Sequence, residues 1–353
     1  MRGGVLAALS LIGALAAAPA NGATPCAQTH GPALRDAHWR QAPAPHPLVG
    51  QVLAGERPIA LAAGACTPSP LEQLIVELWR ALGQGGIVLL GEVHDNPEHH
   101  RVRKDILWPR LARTASAPER PPAAVFEHIR TDQQPALDAF RARAARSRRL
   151  LRAPDLLRAL DWQSSGWPEG RIFHPLFDGA LQAGMPIVPG DAPQGRVRAL
   201  ARGDLSGLGS EERARISAAE DLPPPLLAAL AEELARSHCG ALPASALPAM
   251  SLAQRYRDAH LADAALAGAE RQGAAVLLAG NGHVRADRGV PWHLRRKAPG
   301  RLVRSVLLLE AEAGETEAAA YLPRDPNGRP AADYVLFTPR QHRPDPCRRL
   351  GQP

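Results

Sequence analysis

The segment from Ile87 to His100, with the sequence IVLLGEVHDNPEHH, constrains the fold of this chain most strongly. Four apolar residues run directly into a group of acids and histidines, which predicts a buried strand that ends at a polar edge. Gly91 follows the apolar residues and lets the backbone turn. Asn96 and Pro97 form a helix-start signal, with Asn as the N-cap and Pro at the first helical position. This order predicts a site on the loop at the carboxyl end of the strand, where open α/β sheets build their sites.

Later segments repeat the pattern of a short apolar strand followed by polar residues. Residues 123–126 lead into Glu127, residues 186–190 end at Asp191, and residues 275–279 lead into the sequence Gly-Asn-Gly-His. Helical periods separate these segments, and two more strands are predicted at residues 302–309 and 333–337. The alternation predicts an α/β fold with a mostly parallel central sheet flanked by helices. An antiparallel edge formed by the C-terminal strands is a further expectation.

Length and composition predict one main domain with short flanking segments. The chain has 353 residues, of which 45% are hydrophobic, so it can bury a large core. We expect an α/β domain over residues 71–340, in which residues from about 196 to 248 form a helical insertion that caps the site. Residues 21–70 are expected to form an N-terminal arm with a short hairpin, and residues 341–353 a C-terminal tail.

The first 20 residues have the character of a secretory signal peptide. A positive start at Met1-Arg2 is followed by an apolar run and the small residues Ala18-Pro19-Ala20. No later segment approaches the roughly 18 uninterrupted apolar residues of a membrane-spanning helix. We therefore expect the mature chain to be periplasmic or membrane-associated and to lack a transmembrane helix.

The four cysteines all follow the predicted signal peptide. An even number of cysteines in an exported chain predicts disulfides. Three pairings are possible, of which we favour Cys26–Cys66 with Cys239–Cys347. Buried free thiols remain the alternative.

The formal net charge of +7 could indicate an anionic partner, but the distribution of basic residues does not support nucleic-acid binding. All but two of the 42 basic residues are arginines, and they are spread along the chain. Aromatic residues make up only 4% of the sequence, which leaves little for bases to stack on. We therefore predict that nucleic acid is not a partner.

Two G-x-x-H sequences, Gly91 to His94 and Gly280 to His283, each follow a predicted buried strand. Parallel strands bring their carboxyl ends to one edge of the sheet, so these histidines are expected to meet Glu92 and Glu127. Glu92, His94 and His283 could bind Zn, Mn or Fe with an open position for water. Without a metal, the same groups could act as acid and base or orient a larger ligand.

The long helix predicted over residues 250–272 carries a polar stripe that contains Gln254, Arg257 and Asp258 at helical spacing. Either this stripe faces the site or it is an exposed helix face. Other active-site signatures are missing from the sequence: it has no G-x-S-x-G, no P-loop and no G-x-G-x-x-G motif.

Four segments together resemble the ChaN-like haem-binding uptake proteins of the Tiki/TraB/erythromycin-esterase superfamily. They are GEVHDNPEHH, SLAQRYRDAHLADAAL, AGNGHVRADRGVPWHL and DYVLFTP, and the match runs from about residue 70 to 340. The resemblance implies an exported α/β protein, often attached to a membrane, with a role in haem or iron acquisition. It also implies that the paired motifs fall on His94 and His283, with Glu92 and with a Glu-x-x-Arg at Glu127 and Arg130.

Two functions remain open, beside the alternative of a scaffold whose site is vestigial. The first is an exported haem-binding protein in haem or iron uptake, which could pass haem to or from an outer-membrane receptor or transport partner and could form a homodimer. Haem iron accepts His, Met, Cys or Tyr, so Tyr256, Tyr334 and the histidines are possible ligands, and Arg257 could pair with the propionates. The candidate cofactor-binding residues are His94, Asn96, Arg130, Tyr256, Arg257, Asn281 and His283.

The second function is a metal-dependent hydrolase of an ester or amide. Relatives in the superfamily are hydrolases, and some are thought to use a metal. Here His94, His283 and Glu92 would hold a divalent Zn, Mn or Fe ion, and Glu92 or Glu127 would act as the catalytic base. The sequence leaves open whether the protein is an enzyme.

Overall fold

The structure is a computed structural model that describes residues 46–60, 69–107, 117–147, 150, 152–220, 222–345 and 347. The predicted signal peptide, residues 21–45 of the predicted arm, Cys26 and Cys66 lie outside the described residues.

A single eight-stranded sheet organises the chain, in the spatial order β2-β1-β8-β7-β3-β6-β4-β5. The strands are β1 (Val52–Ala54), β2 (Arg57–Pro58), β3 (Ile87–Leu90), β4 (Ala123–Arg130), β5 (Ile187–Asp191), β6 (Ala275–Leu278), β7 (Val303–Ala311) and β8 (Tyr334–Pro339). The six strands from β8 to β5 run parallel to one another, which confirms the predicted mostly parallel sheet.

The antiparallel edge of the sheet is formed by N-terminal strands, whereas the sequence predicted that C-terminal strands would form it. The short hairpin of β1 and β2 adds to the sheet because β1 pairs antiparallel with β8, whereas β8 pairs parallel with β7. The expectation of an antiparallel C-terminal edge is therefore wrong. Sequence periodicity reports which residues are buried, but it does not report strand direction.

Helices cover both faces of the sheet, as in other doubly wound α/β proteins. Along β3, Val88 and Leu90 pack into one core while Ile87 and Leu89 pack into the other, because successive strand side chains point to opposite faces. The main helices are α1 (Pro70–Gly83), α2 (Pro97–Leu107), α3 (Gln134–Ser147), α4 (Ala153–Ala159), α5 (His174–Gln182), α6 (Gln194–Ala201), α7 (Ser210–Glu220), α8 (Pro224–Ser237), α9 (Leu247–Gln272), α10 (Asn281–Val284), α11 (Val290–Lys297) and α12 (Ala318–Tyr321).

The predicted insertion contains three helices, α6, α7 and α8, which pack against the long helix α9. Helix α9 in turn packs on β4, β5 and β6, so it links the insertion to the half of the sheet that carries the site. Every helix within the described ranges is too short or too polar to cross a membrane.

Gly91 is needed for space rather than for a turn. Its backbone does not adopt a positive φ. A Cβ at this position would collide with Oδ1 of Asn281 and would lie 3.0 Å from the carbonyl oxygen of Val306. The end of β3 is therefore held tightly between the chain segments that follow β6 and β7.

Candidate functional site

The polar residues collect at the carboxyl ends of four adjacent strands, β3, β6, β4 and β5. Glu92 and His94 follow β3, Glu127 lies in the part of β4 that extends past β6, Asp191 ends β5, and His283 follows β6. The sheet topology therefore brings Glu92, His94, Glu127 and His283 to one edge, as the strand ends predict.

Glu92 is the buried centre of the first half of the site. Its Oε1 lies 2.7 Å from Nδ1 of His94 and 2.7 Å from Nε2 of His128, and its Oε2 contacts the guanidinium of Arg103. A carboxylate only accepts hydrogen bonds, so both imidazole nitrogens donate to it. Glu92 thereby fixes the orientation and tautomer of two histidines while Arg103 balances its charge.

His99 and His100 support this arrangement from the first turn of α2. Nδ1 of His99 accepts the Val93 N–H at 2.8 Å, and Nε2 of His99 lies 2.7 Å from the Thr338 hydroxyl. Nε2 of His100 lies 3.0 Å from the His94 carbonyl, and its Nδ1 accepts from Arg103 at 2.9 Å. Burial lowers the pKa of His99 to about 3 and that of His100 to about 4, so both are neutral structural groups at pH 7.

His94 presents its second ring nitrogen away from Glu92. Its side chain is 39% exposed, and burial, with smaller contributions from neighbouring charges, lowers its pKa. Since Nδ1 donates to Glu92, the neutral ring carries its lone pair on Nε2. A Cβ on Gly280 would lie 2.7 Å from Cε1 and 3.0 Å from Nε2 of His94, so the glycine leaves room for the ring.

The second half of the site is an ion-pair network around His283. Nδ1 of His283 lies 2.6 Å from Asp258, and Nε2 lies 3.2 Å from Glu127. Burial would lower the pKa of His283, but Glu127 and Asp258 raise it to about 10. His283 is therefore an imidazolium at pH 7, and neither of its nitrogens offers a lone pair to a metal.

Arg257 joins this network to the end of β5. Its guanidinium donates to both Asp191 oxygens at 2.8 to 3.2 Å and to Glu127 at 2.7 Å. Burial favours the neutral form of Glu127, but His283 and Arg257 hold the pKa of Glu127 well below its usual range. Glu127 also accepts the Gly280 N–H at 2.6 Å, which ties β4 to the segment after β6.

Two adjoining cavities open at this edge, with volumes of about 390 and 930 Å³. Val93, His94 and Ser237 line both of them. The smaller cavity lies between the strand ends and α8 and α9, and its polar lining includes Glu92, Glu127, His238, Gln254, Arg257, Asp258, His283 and Arg288. The polar stripe of α9 therefore faces the site.

The larger cavity is bounded by the C-terminal tail. Arg340, His342 and Arg343 line it, and Arg343 forms ion pairs with Asp95 at 2.7 Å and Glu310 at 2.6 Å. A disulfide joins Cys347 to Cys239 at the end of α8. This pair is one of the two that the sequence favoured. The tail thus crosses from β8 to the insertion along one side of the cavity.

Four of the candidate cofactor-binding residues make hydrogen bonds or ion pairs within the fold. Tyr256 is buried against the insertion, and its hydroxyl donates to Glu212 at 3.0 Å. Arg130 pairs with Asp132 at 3.1 Å. In a sequence, a buried tyrosine or an arginine at a strand end fits a structural role as well as a ligand-binding one.

The two asparagines among the candidates also hold elements together. Oδ1 of Asn96 caps α2 by accepting the Glu98 N–H at 2.9 Å, which confirms the predicted N-cap, and Nδ2 of Asn96 donates to Glu310 at 2.7 Å. Asn281 borders the smaller cavity, but its amide exchanges two hydrogen bonds with the backbone of Leu308. These hydrogen bonds tie Asn96 and Asn281 to the ends of β7 and β8.

The arrangement that could hold a metal differs from the predicted one in one residue. Glu92, His94 and His128 place ligand atoms within 4.8 Å of one another. His283 is not part of this group. A divalent cation here would compete with Arg103, which already occupies the Glu92 carboxylate. His128 and Arg103 were not predicted, because a histidine inside a strand and an arginine inside a helix carry no distinctive sequence signal.

Comparison with known proteins identifies the chain by family. The model of the family described as "Haem-binding uptake, Tiki superfamily, ChaN" matches residues 78–294. No curated protein is similar enough to count as a relative. A solved structure titled cofacial haem binding to ChaN of Campylobacter jejuni is 19% identical, covers 76% of this chain and 91% of that chain, and superposes with a TM-score of 0.54. At this identity the likeness supports the fold alone.

Two other solved structures are similar over shorter stretches. A Bacillus cereus protein is 15% identical, covers 69% of this chain and 70% of that chain, and has a TM-score of 0.34. A succinoglycan biosynthesis protein is 15% identical, covers 67% of this chain and 69% of that chain, and has a TM-score of 0.33. Neither supports an argument at these TM-scores. The family match extends over more than half of the sequence and includes both G-x-x-H motifs, and the chain belongs to the ChaN family of haem-binding uptake proteins in the Tiki superfamily.

Proposed function

We propose that this protein is an exported haem-binding protein in haem or iron uptake, and that His94 is its haem iron ligand. The observation that carries the proposal is the Glu92–His94 pair at the cavity. A histidine that ligates a metal commonly donates its other N–H to a carboxylate, which fixes the ring and raises the basicity of the ligating nitrogen. His94 has this arrangement, with Nε2 as the remaining nitrogen at the cavity.

The tyrosines fit a ligand role less well. The hydroxyls of Tyr256 and Tyr321 are hydrogen-bonded to Glu212 and to the backbone of Glu312 and Glu315, and the hydroxyl of Tyr334 interacts with Arg304. Each would have to break these contacts before it could bind iron. His94 needs no such change, because only its Nδ1 is hydrogen-bonded within the described part of the chain.

The surroundings of His94 also suit haem. The two adjoining cavities fall in the range of roughly 300 to 1,000 Å³ that ligand pockets occupy. The ring of Trp167 packs edge-on to the ring of His94, with 4.8 Å between the ring centroids.

The side chain of Arg340 lines the larger cavity and is 53% exposed. Bound haem would supply an iron that accepts an imidazole nitrogen and propionates that pair well with guanidinium groups. Arg340 pairs with one carboxylate, that of the exposed Glu312, whereas Arg257 pairs with the two buried carboxylates of Glu127 and Asp191. Arg340 therefore suits the propionates better than Arg257.

The cellular part of the proposal follows from the family and from the sequence. We propose that the mature chain acts in the periplasm or at a membrane and exchanges haem with an outer-membrane receptor or transport partner. A homodimer is a further part of this hypothesis, since cofacial haem binding is the property named for the Campylobacter jejuni relative. Light scattering with and without haem tests the dimer directly.

A haem titration of the purified mature chain, residues 21–353, tests the function. We expect a saturable Soret band with the wild type and a loss of at least roughly tenfold in affinity for His94→Ala. His174→Ala is the matched control, because His174 lies on α5 and lines neither cavity. Equal haem affinity of the wild type and the His94 variant would contradict the role of His94, and no saturable binding by the wild type would contradict the function.

A metal-dependent hydrolase remains the second candidate, because Glu92, His94 and His128 could hold a divalent ion. In this case Glu127, which lines the same cavity, is the proposed catalytic base. The contact between Arg103 and Glu92 counts against tight metal binding, since two cations would share one carboxylate. Elemental analysis of the untreated protein separates the two functions: near-stoichiometric zinc, manganese or iron without haem would favour the hydrolase.

A further inference from the structure

Aromatic rings enclose the buried histidine of β4, His128. These rings belong to Phe126, Trp162, Trp167, Phe173 and Phe177, and their centroids lie 4.8 to 6.4 Å from that of the imidazole. Burial holds the pKa of His128 well below its usual range, so the ring is neutral at pH 7. Its Nε2 donates to Glu92, and its Nδ1 has no hydrogen-bond partner in the described part of the chain. Buried polar atoms without a partner are uncommon in folded proteins, and those that persist often belong to functional sites.

Trp167 differs from the other rings of this shell because it also packs against His94. Its centroid lies 4.8 Å from that of His94 and 4.8 Å from that of His128, and the two histidine centroids are 6.2 Å apart. The indole therefore spans both histidines. The other four rings are buried, whereas Trp167 is half-buried. Trp167 is thus the outer wall that separates the two histidines from solvent.

The loop that carries Trp167 is held by its own hydrogen bonds. The indole N–H of Trp162 donates to the Pro168 carbonyl at 2.9 Å, and the hydroxyl of Ser165 accepts the Trp167 N–H at 3.1 Å. Gly166, immediately before Trp167, has a φ of 85°, in the left-handed region that favours glycine. None of these features uses the indole of Trp167. A smaller side chain at this position therefore opens the wall and leaves the loop in place.

The two histidines under Trp167 belong, with Glu92, to the group that could hold a divalent ion, which we call the histidine–glutamate group. Both rings now donate an N–H to Glu92. A metal ion binds the lone pair of an imidazole, so the proton on Nε2 of His128 would have to move to Nδ1, the nitrogen without a partner. Water could accept that proton and fill the open position of the ion. Trp167 separates the group from this water.

We propose that Trp167 is a specificity-determining residue: its indole keeps water and free divalent metal ions away from the histidine–glutamate group, and so reserves His94 for haem iron. This inference rests on the proposed function and deepens it, because it names what makes the same site select haem over a free ion. Haem iron needs only Nε2 of His94, which is not bonded to Glu92. A free ion needs the whole group. Removal of the indole should therefore change which metal is bound without removing any ligand.

The test is a titration of the haem-free, full mature chain with Co²⁺, whose visible absorption reports the ligands around the ion. We expect Trp167→Ala to bind one equivalent, at least roughly tenfold more tightly than the wild type does. Trp167→Phe should behave like the wild type, because it keeps a ring against both histidines. Adding His128→Gln to Trp167→Ala should abolish the new site. Arg103 stays beside Glu92 in every variant, so its competition with the ion is the same throughout.

Trp292→Ala is the matched control. Trp292 is also half-buried, but it lies on α11 and lines neither cavity. This variant should bind Co²⁺ no better than the wild type. Trp167→Val keeps more of the packing than alanine does and opens the same wall, so it gives a second test if Trp167→Ala does not fold. Urea unfolding of each variant shows whether it is folded.

Two results would overturn the role of Trp167. One is a folded Trp167→Ala or Trp167→Val variant that binds Co²⁺ no better than the wild type, or equally well after His128→Gln. The other is a wild type that itself binds one equivalent with bands that His128→Gln removes, since the indole would then be no barrier. If the wild type still gives a saturable Soret band with haem, either result refutes only the role of Trp167. A wild type that binds no haem would refute the proposed function together with this inference.

Discussion

Oε1 of Glu92 and Nδ1 of His94 lie 2.7 Å apart, with Glu92 fully buried and His94 partly exposed. The carboxylate also contacts the fully buried Arg103 of α2. The orientation and basicity of His94 at the cavity therefore depend on the buried ion pair of Glu92 and Arg103. Changes to this pair should affect both the ligand and the fold, and the two effects can be separated.

Replacement of Glu92 with Gln should weaken haem binding by roughly 10- to 100-fold, because a neutral amide supports the basicity of His94 less than a carboxylate does. The same change leaves Arg103 buried without its counter-charge, which should cost about 3–5 kcal/mol in the free energy of unfolding. Haem titration measures the first effect, and urea unfolding of the haem-free protein measures the second.

A second variant distinguishes the two effects. Adding Arg103→Met to Glu92→Gln removes both charges and should recover most of the lost stability, because a buried ion pair can often be replaced by apolar groups at little cost. Haem affinity should remain low in this double variant. Recovery of haem affinity together with stability would mean that Glu92 acts on the fold alone.

Gly280→Ala should weaken haem binding with little effect on the fold. The backbone of Gly280, with φ −62° and ψ 153°, suits alanine, but the new Cβ would lie 2.7 Å from Cε1 of His94 and must push the ring aside. We expect a loss of roughly tenfold in haem affinity, or about 1.4 kcal/mol.

Gly282→Ala is the matched control for this change. Its Cβ would meet only Oε1 of Glu233, at an ordinary 3.5 Å. The control should lose much less haem affinity than Gly280→Ala in the same Soret titration. Similar losses in the two variants would show that the ring of His94 is not the cause.

The sequence predicted the location of the site because the residues that follow each apolar run lie at the same edge of a parallel sheet. Glu92, Glu127 and His283 are far apart in the chain, yet each comes after a run of apolar strand residues, and adjacent parallel strands bring their carboxyl ends together. Asn96 as the cap of α2 was predictable for a similar reason, since capping depends on residues only two positions apart.

The roles of the site residues could not be predicted, because they depend on contacts between distant segments. His283 becomes a cation because Glu127, from β4, and Asp258, from α9, both approach its ring. His238 reaches the cavity only because α8 folds over the strand ends. The position of the β1–β2 hairpin beside β8 is likewise a tertiary contact that no local pattern records.

Acid should destabilise the haem-free protein through its buried neutral histidines. The folded-state pKa values of His99 and His100 are about 3 and about 4, against about 6.5 in an unfolded chain. Below pH 6.5 the unfolded chain therefore binds protons that the folded chain does not. The free energy of unfolding should fall as pH drops from 6.5 towards 4, by about 1.4 kcal/mol per pH unit for each histidine.

Urea unfolding at pH 6.5, 5.5 and 4.5 measures this slope. His99→Gln keeps a group that can bond to the Thr338 hydroxyl but does not titrate, so it should reduce the slope by about 1.4 kcal/mol per pH unit. The absolute stability of the variant can differ from that of the wild type without affecting the comparison. If the free energy of unfolding falls equally steeply with pH in the two proteins, His99 does not contribute to the acid sensitivity.

The tail that bounds the larger cavity has two kinds of attachment. The Cys239–Cys347 disulfide fixes its far end, and the ion pairs of Arg343 with Asp95 and Glu310 fix its middle. Either attachment alone should hold the tail near the cavity. Removal of the disulfide should still lower the free energy of unfolding by about 2–4 kcal/mol, because it releases a long loop in the unfolded chain.

The two attachments should therefore be coupled in haem release. We expect Cys239→Ser with Cys347→Ser, and Arg343→Met by itself, each to raise the rate of haem transfer to apomyoglobin only slightly. The variant that combines all three changes should release haem faster than the product of the separate effects, because the tail can then leave the cavity. A coupling free energy of roughly 0.5–3 kcal/mol is typical of residues whose effects depend on one another. Strictly multiplicative effects on the transfer rate would show that the tail does not retain the haem.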